Sequence, residues 1–267
     1  MFQRKISSVL TGRLLTAVMA GVVAFGLTAC GGGSPDTSGQ ESAAMEEEAA
    51  APNTLSQAEQ DEGWMLLFDG ESMEHWTGLG RDMIPEGHWV VEDGTIRKIK
   101  SSEVPRAEDG QPLEGGDIMT KETFRNFEFS FEWKLSKAGN SGVKYNVSEE
   151  LSTQHEPVHA ALGFEFQVLD DDRHADGEDP THRAGGLYDM IAPNDNKQLK
   201  PVGEWNTSRI VLNGMHGEHW LNGEKVVEYD MDTAEFDSLL AASKYADIEG
   251  FAERRSDLHV DVRTGVT

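Results

Sequence analysis

The clearest structural signal in the sequence is FEFSFEWKL, residues 127–135. Aromatic residues, and finally Leu135, alternate there with charged or polar ones. Phe127, Phe129, Phe131 and Trp133 fall on one face of an extended chain, and the residues between them fall on the other. This period of two is typical of a strand with one buried face. We therefore predict a β-strand here, with its aromatic face turned into a protein core.

Other short runs of the same kind lie on both sides of this strand. We predict further strands at 64–68, 89–92, 95–99, 143–147, 162–169, 207–212, 216–221 and 225–229. Asp-Gly at 93–94 and Asn-Gly at 222–223 separate neighbouring runs, which is the strongest short-range hairpin signal. Only 232–244 has a helical pattern, with Asp232 as its predicted N-cap. Many short antiparallel strands with one short helix predict an all-β sandwich of jelly-roll type.

The first 29 residues have the organisation of an export signal. A basic start is followed by an apolar run at 14–27 that is too short to span a bilayer. The run ends in Leu-Thr-Ala-Cys, which resembles the lipobox of bacterial lipoproteins. We expect removal of residues 1–29 and lipidation of Cys30, which would anchor the chain in the cell envelope, at the outer membrane or the periplasmic face. An ordinary secretory signal with an incidental cysteine is the alternative.

Composition distinguishes a linker from a folded domain and argues against nucleic-acid and anionic-lipid partners. Residues 30–60 are rich in small and acidic residues, and we predict a disordered linker there. The whole chain has 23 Lys and Arg against 48 Asp and Glu, a net charge of −25, which argues against nucleic acid and against electrostatic docking on anionic lipid. The single cysteine leaves no disulfide within the chain. We assign residues 61–251 to one sandwich domain and 252–267 to a divergent or truncated tail.

Two metal motifs match the sequence in part. HEPVH, residues 155–159, satisfies the zinc-protease pattern, but Pro157 is incompatible with the helix interior that this chemistry needs. The acidic run from Asp172 begins like a calcium loop, yet Arg183 stands where the loop requires a bidentate glutamate. Two interpretations of the run 170–176 remain open, a looser cation site and a solvated turn.

The strand predicted at 163–169 places two polar side chains on one face. Phe164, Phe166 and Val168 would face the core, so Glu165 and Gln167 would stand as neighbours on the opposite face. Two such groups on a rigid strand can position a sugar and move a proton. An ordinary solvent-facing pair is the alternative interpretation.

Two further segments offer polar or aromatic groups to a ligand. Asn140 and Ser141 stand between glycines at the start of a predicted strand, where a turn is the simpler interpretation. Trp205 and Asn206 pair an aromatic platform with an amide, although a structural tryptophan is equally consistent with the pattern.

Six ordered segments resemble the 3-keto-disaccharide hydrolase domain family. They are GWMLLFDGESMEHW, GGDIMTKETFRNFEFSFEWKLSKAGNSGVKYNV, ALGFEFQVLDD, RAGGLYDMIAP, PVGEWNTSRIVLNG and HWLNGEKVVEYD, and they cover about residues 61–251. The resemblance implies a concanavalin A-like sandwich and cleavage of glycosides whose glucose C3 is a ketone. It also implies a sugar 3-dehydrogenase upstream, to supply that ketone.

The implied chemistry is an elimination. The ketone acidifies the C2 hydrogen, a base removes it, the aglycone leaves C1, and water adds to the resulting 2-hydroxy-3-keto-glucal. Such a reaction needs a base, an electrophile near the enolate oxygen and an acid for the leaving oxygen. We expect Glu165 to be the base, and we assign the other roles as follows. Gln167, Asn140 and Lys144 orient or polarise the ketone, Asp170 and His182 serve as acid or hold a divalent cation, and Tyr188, Trp205 and Asn206 contact the sugar.

The end of the chain departs from the family pattern. The resemblance calls for a Gln-Asp-His-Gly motif and a closing strand, whereas this chain continues with SDLHVDVRTGVT after Arg255. A missing interior strand would leave unpaired backbone groups and an uncovered apolar face. Because the same fold also makes lectins, a non-catalytic carbohydrate-binding lipoprotein is the alternative function.

Overall fold

The computed structural model describes residues 2–7, 51–100, 102–106, 108, 116–154, 161–255 and 265–266. Its strands are β1 Phe2–Ser7, β2 Trp64–Leu66, β3 Trp76–Gly78, β4 Trp89–Glu92, β5 Thr95–Lys98, β6 Ile118–Thr120, β7 Phe127–Trp133, β8 Asn140–Tyr145, β9 Phe164–Leu169, β10 Asn206–Asn213, β11 His216–Leu221, β12 Glu224–Asp230 and β13 Gly265–Val266. Its α-helices are α1 Gln57–Asp61, α2 Glu149–Gln154 and α3 Ala234–Ala242.

The described strands form two antiparallel sheets. The larger has the order β12-β11-β10-β7-β1-β5-β4, with β2 also paired to β1, and the smaller has the order β3-β6-β13-β8-β9. Apolar side chains of both sheets belong to one core, in which the rings of Phe131 and Phe166 meet edge to face at 5.4 Å. The predicted all-β sandwich is therefore confirmed.

The alternation in β7 has the predicted effect. Phe127, Phe129, Phe131 and Trp133 are all buried, and the residues between them are partly exposed. Helix α3 covers one end of the core, where Phe236 packs against Phe164 with ring centres 5.5 Å apart.

Both predicted hairpins are present. Asp93 and Gly94 join β4 to β5 with φ of 49° and 67°, and Asn222 and Gly223 join β11 to β12 with φ of 50° and 90°. Positive φ at both central residues is what the type I′ turn requires, and Asn, Asp and Gly adopt it most readily.

The helix predictions need correction. The predicted helix at 232–244 spans only Ala234–Ala242, and its N-cap is Thr233 rather than Asp232 because the Thr233 hydroxyl accepts the Phe236 N–H. Two short helices, α1 and α2, were not predicted. Helix α1 begins inside the predicted linker, where Ser56 and Glu59 form a capping box that satisfies the first N–H groups.

Segments from the two ends of the chain occupy interior positions in the sheets. Strand β1 pairs with both β5 and β7, and β13 pairs with both β6 and β8. Within the described residues, β13 thus supplies backbone partners to both β6 and β8. Strand β1 lies within residues 1–29, the segment that we expect to be removed before lipidation of Cys30.

Several predicted features lie outside the described residues. They are Cys30, most of the predicted signal and linker, the HEPVH motif and most of the predicted tail. Within the described ranges, no helix combines the length and the apolar composition needed to cross a membrane.

A chain of buried polar groups crosses the core between the sheets. His219 Nδ1 lies 3.1 Å from the Gly185 carbonyl oxygen, and because a carbonyl only accepts, this nitrogen carries the proton. His219 Nε2 then accepts from the Tyr145 hydroxyl at 2.8 Å, and Tyr145 accepts from the Tyr229 hydroxyl at 2.5 Å. The neutral ring thus has a partner on each nitrogen.

This network predicts a pH-dependent loss of stability. Burial lowers the pKa of His219 to about 4, whereas an unfolded histidine has a pKa of about 6.5. The unfolded chain therefore takes up the proton first, and stability falls as the pH drops from about 6.5 towards 4. The free energy of unfolding of the parent chain falls between pH 7 and pH 4.5. We expect this fall, measured by urea denaturation, to be about 2–3 kcal/mol smaller in His219→Gln. Equal losses in the two proteins would contradict this assignment.

Candidate active site

The polar face of β8 and β9 holds most of the predicted site residues. Lys144 lies directly opposite Glu165, and Gly142 lies opposite Gln167. Because side chains alternate along a strand, those of Lys144, Glu165 and Gln167 project away from the core. Phe164 and Phe166 fill that core. Glu165, Gln167 and Lys144 are nevertheless buried, at 7%, 1% and 8% exposure. The structure thus brings them together as predicted, under a cover that the sequence did not indicate.

Residues 183–191 lie at the edge of the sheet beside that face. Gly185 N–H donates to the Gln167 carbonyl, Gln167 N–H donates to the Gly186 carbonyl, and Tyr188 N–H donates to the Glu165 carbonyl. The segment therefore runs along the free edge of β9 and closes it. This pairing brings Tyr188 beside the polar face.

Tyr188 is the centre of a stacked group. The His182 ring stacks on it with centres 4.3 Å apart, and Lys244 Nζ lies 4.0 Å from its ring centre. Burial, followed by the nearby carboxylates Asp176 and Glu165, raises the pKa of Tyr188 to about 12, so the phenol keeps its proton at neutral pH. Tyr188 and His182 thus both lie at the face, as predicted.

Lys244 is a site residue that the sequence did not reveal. It follows the end of α3, and its backbone N–H donates to Oδ2 of Asp189. The other carboxylate oxygen, Asp189 Oδ1, lies 3.1 Å from His182 Nε2. Its ammonium reaches 3.8 Å from Glu165 Oε2. Burial lowers the pKa of Lys244, and the charge of Glu165 acts in the opposite direction. Asp189 therefore fixes both a histidine and a lysine beside the polar face.

A buried ion pair joins Lys144 to Asp117. The Nζ of Lys144 is 3.8 Å from Asp117 Oδ2, and the same oxygen accepts the Ala161 N–H at 2.8 Å. Burial raises the pKa of Asp117, and the ammonium of Lys144 opposes this shift. Lysines thus approach the face from two sides, one held by Asp117 and one by Asp189.

Asn140 reaches the same face, but Ser141 does not. Asn140 Oδ1 accepts from Gln167 Nε2 at 3.4 Å, and Asn140 Nδ2 donates to Asp176 at 3.0 Å. Ser141 alternates with Asn140 and shares the side of β8 that carries the core residues Val143 and Tyr145. The prediction that Ser141 binds substrate beside Asn140 therefore disagrees with the strand geometry.

Asp170 lies apart from this face. It continues the core-facing series of β9, and its oxygens accept from Ala138 N–H at 2.8 Å and from Arg173 at 3.3 Å. His182 instead faces Asp189, so Asp170 and His182 have separate partners. The structure therefore does not bring Asp170 and His182 together at one acid or cation site.

A cavity of about 430 Å³ lies on the Asp170 side. Its lining includes Trp133, Asp170 and Asn206. Asn206 is the first residue of β10, and its Oδ1 accepts from Lys200 N–H and from Asn222 Nδ2. Lys134 lies over the Trp205 ring at 4.9 Å. The predicted sugar contacts of Trp205 and Asn206 therefore belong to a different region from Glu165.

The acidic run beside this cavity makes hydrogen bonds and ion pairs that stabilise the loop in which it lies. Asp171 accepts from Ala184 N–H at 2.9 Å and from the Lys197 ammonium, while Arg183 donates to the Gly177 carbonyl. Short 3₁₀ turns at Ala175–Glu178 and Pro180–His182 replace the helices of an EF-hand. We place the candidate active site on the β8–β9 face rather than at the cavity, because Asp170 and Asp171 are already occupied with loop contacts.

Fold and site together define an all-β sandwich in which an acid and two lysines meet at one strand face. The chain belongs to the family described as the 3-keto-alpha-glucoside-1,2-lyase-like domain, which matches residues 63–252.

Similar proteins support a glycoside-cleaving hydrolase. A 3-keto-disaccharide hydrolase of Bacteroides thetaiotaomicron (strain VPI-5482) is 37% identical over 238 residues, which cover 82% of this chain and 80% of the relative. The crystal structure of a glycosyl hydrolase candidate from Parabacteroides distasonis ATCC 8503 is 25% identical with a TM-score of 0.65, covering 80% of this chain and 91% of the other.

The stacked group at Tyr188 predicts a measurable coupling energy. A cation over an aromatic face contributes about 0.5–1 kcal/mol at an exposed site, and the Lys244 side chain is 45% exposed. We expect a double-mutant cycle of Tyr188→Leu and Lys244→Met to give a coupling of that size in the free energy of unfolding. Lys134→Met is the matched control, since Lys134 lies over Trp205, and its cycle with Tyr188→Leu should give no coupling. Equal coupling in both cycles would show that the interaction is not local.

Proposed function

We propose that this chain cleaves glycosides whose glucose carries a ketone at C3, by elimination followed by hydration. Family membership and the 3-keto-disaccharide hydrolase among its relatives support this substrate class. The observation that carries the mechanism is the buried Glu165 carboxylate with a lysine ammonium 3.8 Å away. An elimination next to a ketone needs a base and a nearby positive charge, and this face supplies both groups.

Glu165 acts as the base. It removes the C2 proton, and the electron pair of that bond passes to the ketone as an enolate. The enolate then expels the aglycone oxygen from C1, which leaves a C1–C2 double bond. Water adds its oxygen to C1 and a proton returns to C2, so the net reaction is hydrolysis. The rigid pairing of β8 and β9 fixes the carboxylate, which keeps the base in position for the first step.

Lysine stabilises the developing negative charge. Lys144 stands opposite Glu165 on the neighbouring strand, and Lys244 approaches from the end of α3. Positive groups in a covered site stabilise an enolate more strongly than water does, because they are already oriented when the charge appears. Asn140 and Gln167 hold the sugar hydroxyls, which sets the C2 hydrogen towards Glu165.

His182 is the candidate acid for the leaving oxygen. Its Nε2 faces Asp189, so the carboxylate can fix the orientation of the ring. Tyr188 stacks on the ring and restricts its rotation. Asp170, in contrast, is excluded from this role by its position on the core-facing side of β9.

The remaining parts of the proposal concern location and supply. Lipidation at Cys30 would hold the mature domain in the cell envelope, where it would meet oligosaccharides. A dehydrogenase that oxidises the glucose C3 hydroxyl must act before this enzyme. A non-catalytic carbohydrate-binding role is the competing proposal, and it differs by predicting binding without turnover.

Replacing the base tests the central role of Glu165. We expect Glu165→Gln to lower kcat for cleavage of a 3-keto-glucoside by about 10²-fold or more, because the amide cannot accept the C2 proton. Glu224→Gln changes an exposed acid at the start of β12 and should retain full activity. Undiminished cleavage by Glu165→Gln would remove Glu165 from the mechanism. Tight binding of the substrate by the parent chain without release of 3-keto-glucose would favour the carbohydrate-binding role.

Solvent isotope incorporation tests elimination itself. In D₂O, hydration of the 3-keto-glucal intermediate places deuterium at C2 of every product molecule, whereas direct displacement at C1 retains the original hydrogen. We expect mass spectrometry at early times to show one deuterium per released 3-keto-glucose. Product incubated in D₂O with Glu165→Gln corrects for spontaneous exchange next to the ketone. Product without deuterium at early times would rule out the elimination.

A further inference from the structure

A second cluster of ionisable side chains lies on the hairpin of β11 and β12. His216 pairs with Asp230 across the strands, and Glu218 pairs with Glu228. The two residues on each strand are separated by one position, so all four side chains project from one face of the hairpin. Strand β12 is the last strand of the larger sheet, which places the cluster at the sheet's edge.

Three of these side chains converge at distances suited to a metal ion. His216 Nε2 lies 3.5 Å from Glu218 Oε1 and 3.5 Å from Glu228 Oε1. One ligand atom from each residue lies within 4.8 Å of the others. Ligand atoms in a tetrahedral zinc site stand about 3.3–3.4 Å apart, as follows from Zn–N and Zn–O bonds of about 2.0–2.1 Å. Small side-chain movements would therefore complete the site.

The cluster also has the outer contacts that orient metal ligands. Asp230 Oδ1 lies 2.8 Å from His216 Nδ1, which turns Nε2 towards the two glutamates. Glu218 Oε2 accepts from Trp220 Nε1 at 2.7 Å, so its other oxygen faces the cluster. A carboxylate behind a histidine is the usual arrangement at zinc sites, because it fixes the tautomer and strengthens the ligand.

An ammonium group is held beside the three ligands. Lys225 Nζ lies 3.1 Å from Glu218 Oε1 and 2.8 Å from Glu228 Oε2. Its side chain is 32% exposed and long enough to swing outward. The two carboxylates thus already attract one cation, and a divalent ion would compete with this lysine for the same oxygens.

We propose that His216, Glu218 and Glu228 bind a divalent transition-metal ion, with Lys225 as its internal competitor. Zn²⁺ suits this set best, since it accepts imidazole and carboxylate ligands in a four-coordinate site. Ca²⁺ prefers six to eight oxygen ligands, which the cluster does not provide. The bound ion would tie β12 to β11 and stabilise the sheet edge, independently of the catalytic role of the β8–β9 face.

Calorimetric titration of the full chain with ZnCl₂ tests this site. We expect one Zn²⁺ per chain, at least tenfold weaker binding in both His216→Ala and Glu228→Gln, and tighter binding in Lys225→Met. The same titration with CaCl₂ should give no comparable binding. His75→Ala is the matched control, because His75 also lies beside two glutamates but outside the cluster.

The outcomes separate a specific site from nonspecific binding. Circular dichroism and unfolding curves establish that each variant is folded before titration. Zn²⁺ binding that is absent in the parent chain, unchanged in folded His216→Ala and Glu228→Gln, or equally weakened by His75→Ala would overturn the proposal. Tighter binding in Lys225→Met with unchanged binding in His75→Ala would support it.

Discussion

The contact on which the rest of the structure depends is the packing of the β7 aromatic row against the apolar row of β9. Phe131 meets Phe166 edge to face at the centre of this contact. Because neighbouring side chains on a strand point in opposite directions, burying Phe164 and Phe166 forces Glu165 and Gln167 onto the other face. A shift of register by one residue would turn the acid into the hydrophobic core and the rings away from it. The hydrophobic core and the candidate catalytic face are thus two consequences of one alternation.

The same alternation explains how much of the fold could be predicted. Strands with a clear period of two and hairpins with Asp-Gly or Asn-Gly were predicted correctly, since these signals are local. The pairing of β1 with β5 and β7 was not predicted, because it joins segments far apart in sequence. The capping box of α1 was readable as Ser56 followed by Glu59, yet the surrounding composition favoured a linker.

The candidate site was predicted in part for a related reason. Glu165 and Gln167 follow from strand alternation, and Lys144 follows from a neighbouring strand. Asp189 and Lys244 reach the face only because the 183–191 segment closes the edge of β9 and α3 ends beside it. The sequence shows a tyrosine and an aspartate in succession at 188–189, but it does not show which lysine they meet. Tertiary packing, rather than local pattern, selects these partners.

Gly142 shows how closely the site depends on the backbone beneath it. The glycines at 139–142 suggested a turn, but Gly142 lies within β8, opposite Gln167. A Cβ atom at this position would lie 2.0 Å from Glu165 Oε1, well inside van der Waals contact. The Glu165 side chain therefore crosses the strand above a residue that has no side chain. The glycine is needed here for space rather than for a turn, because only this gap allows a buried carboxylate to lie flat against β8.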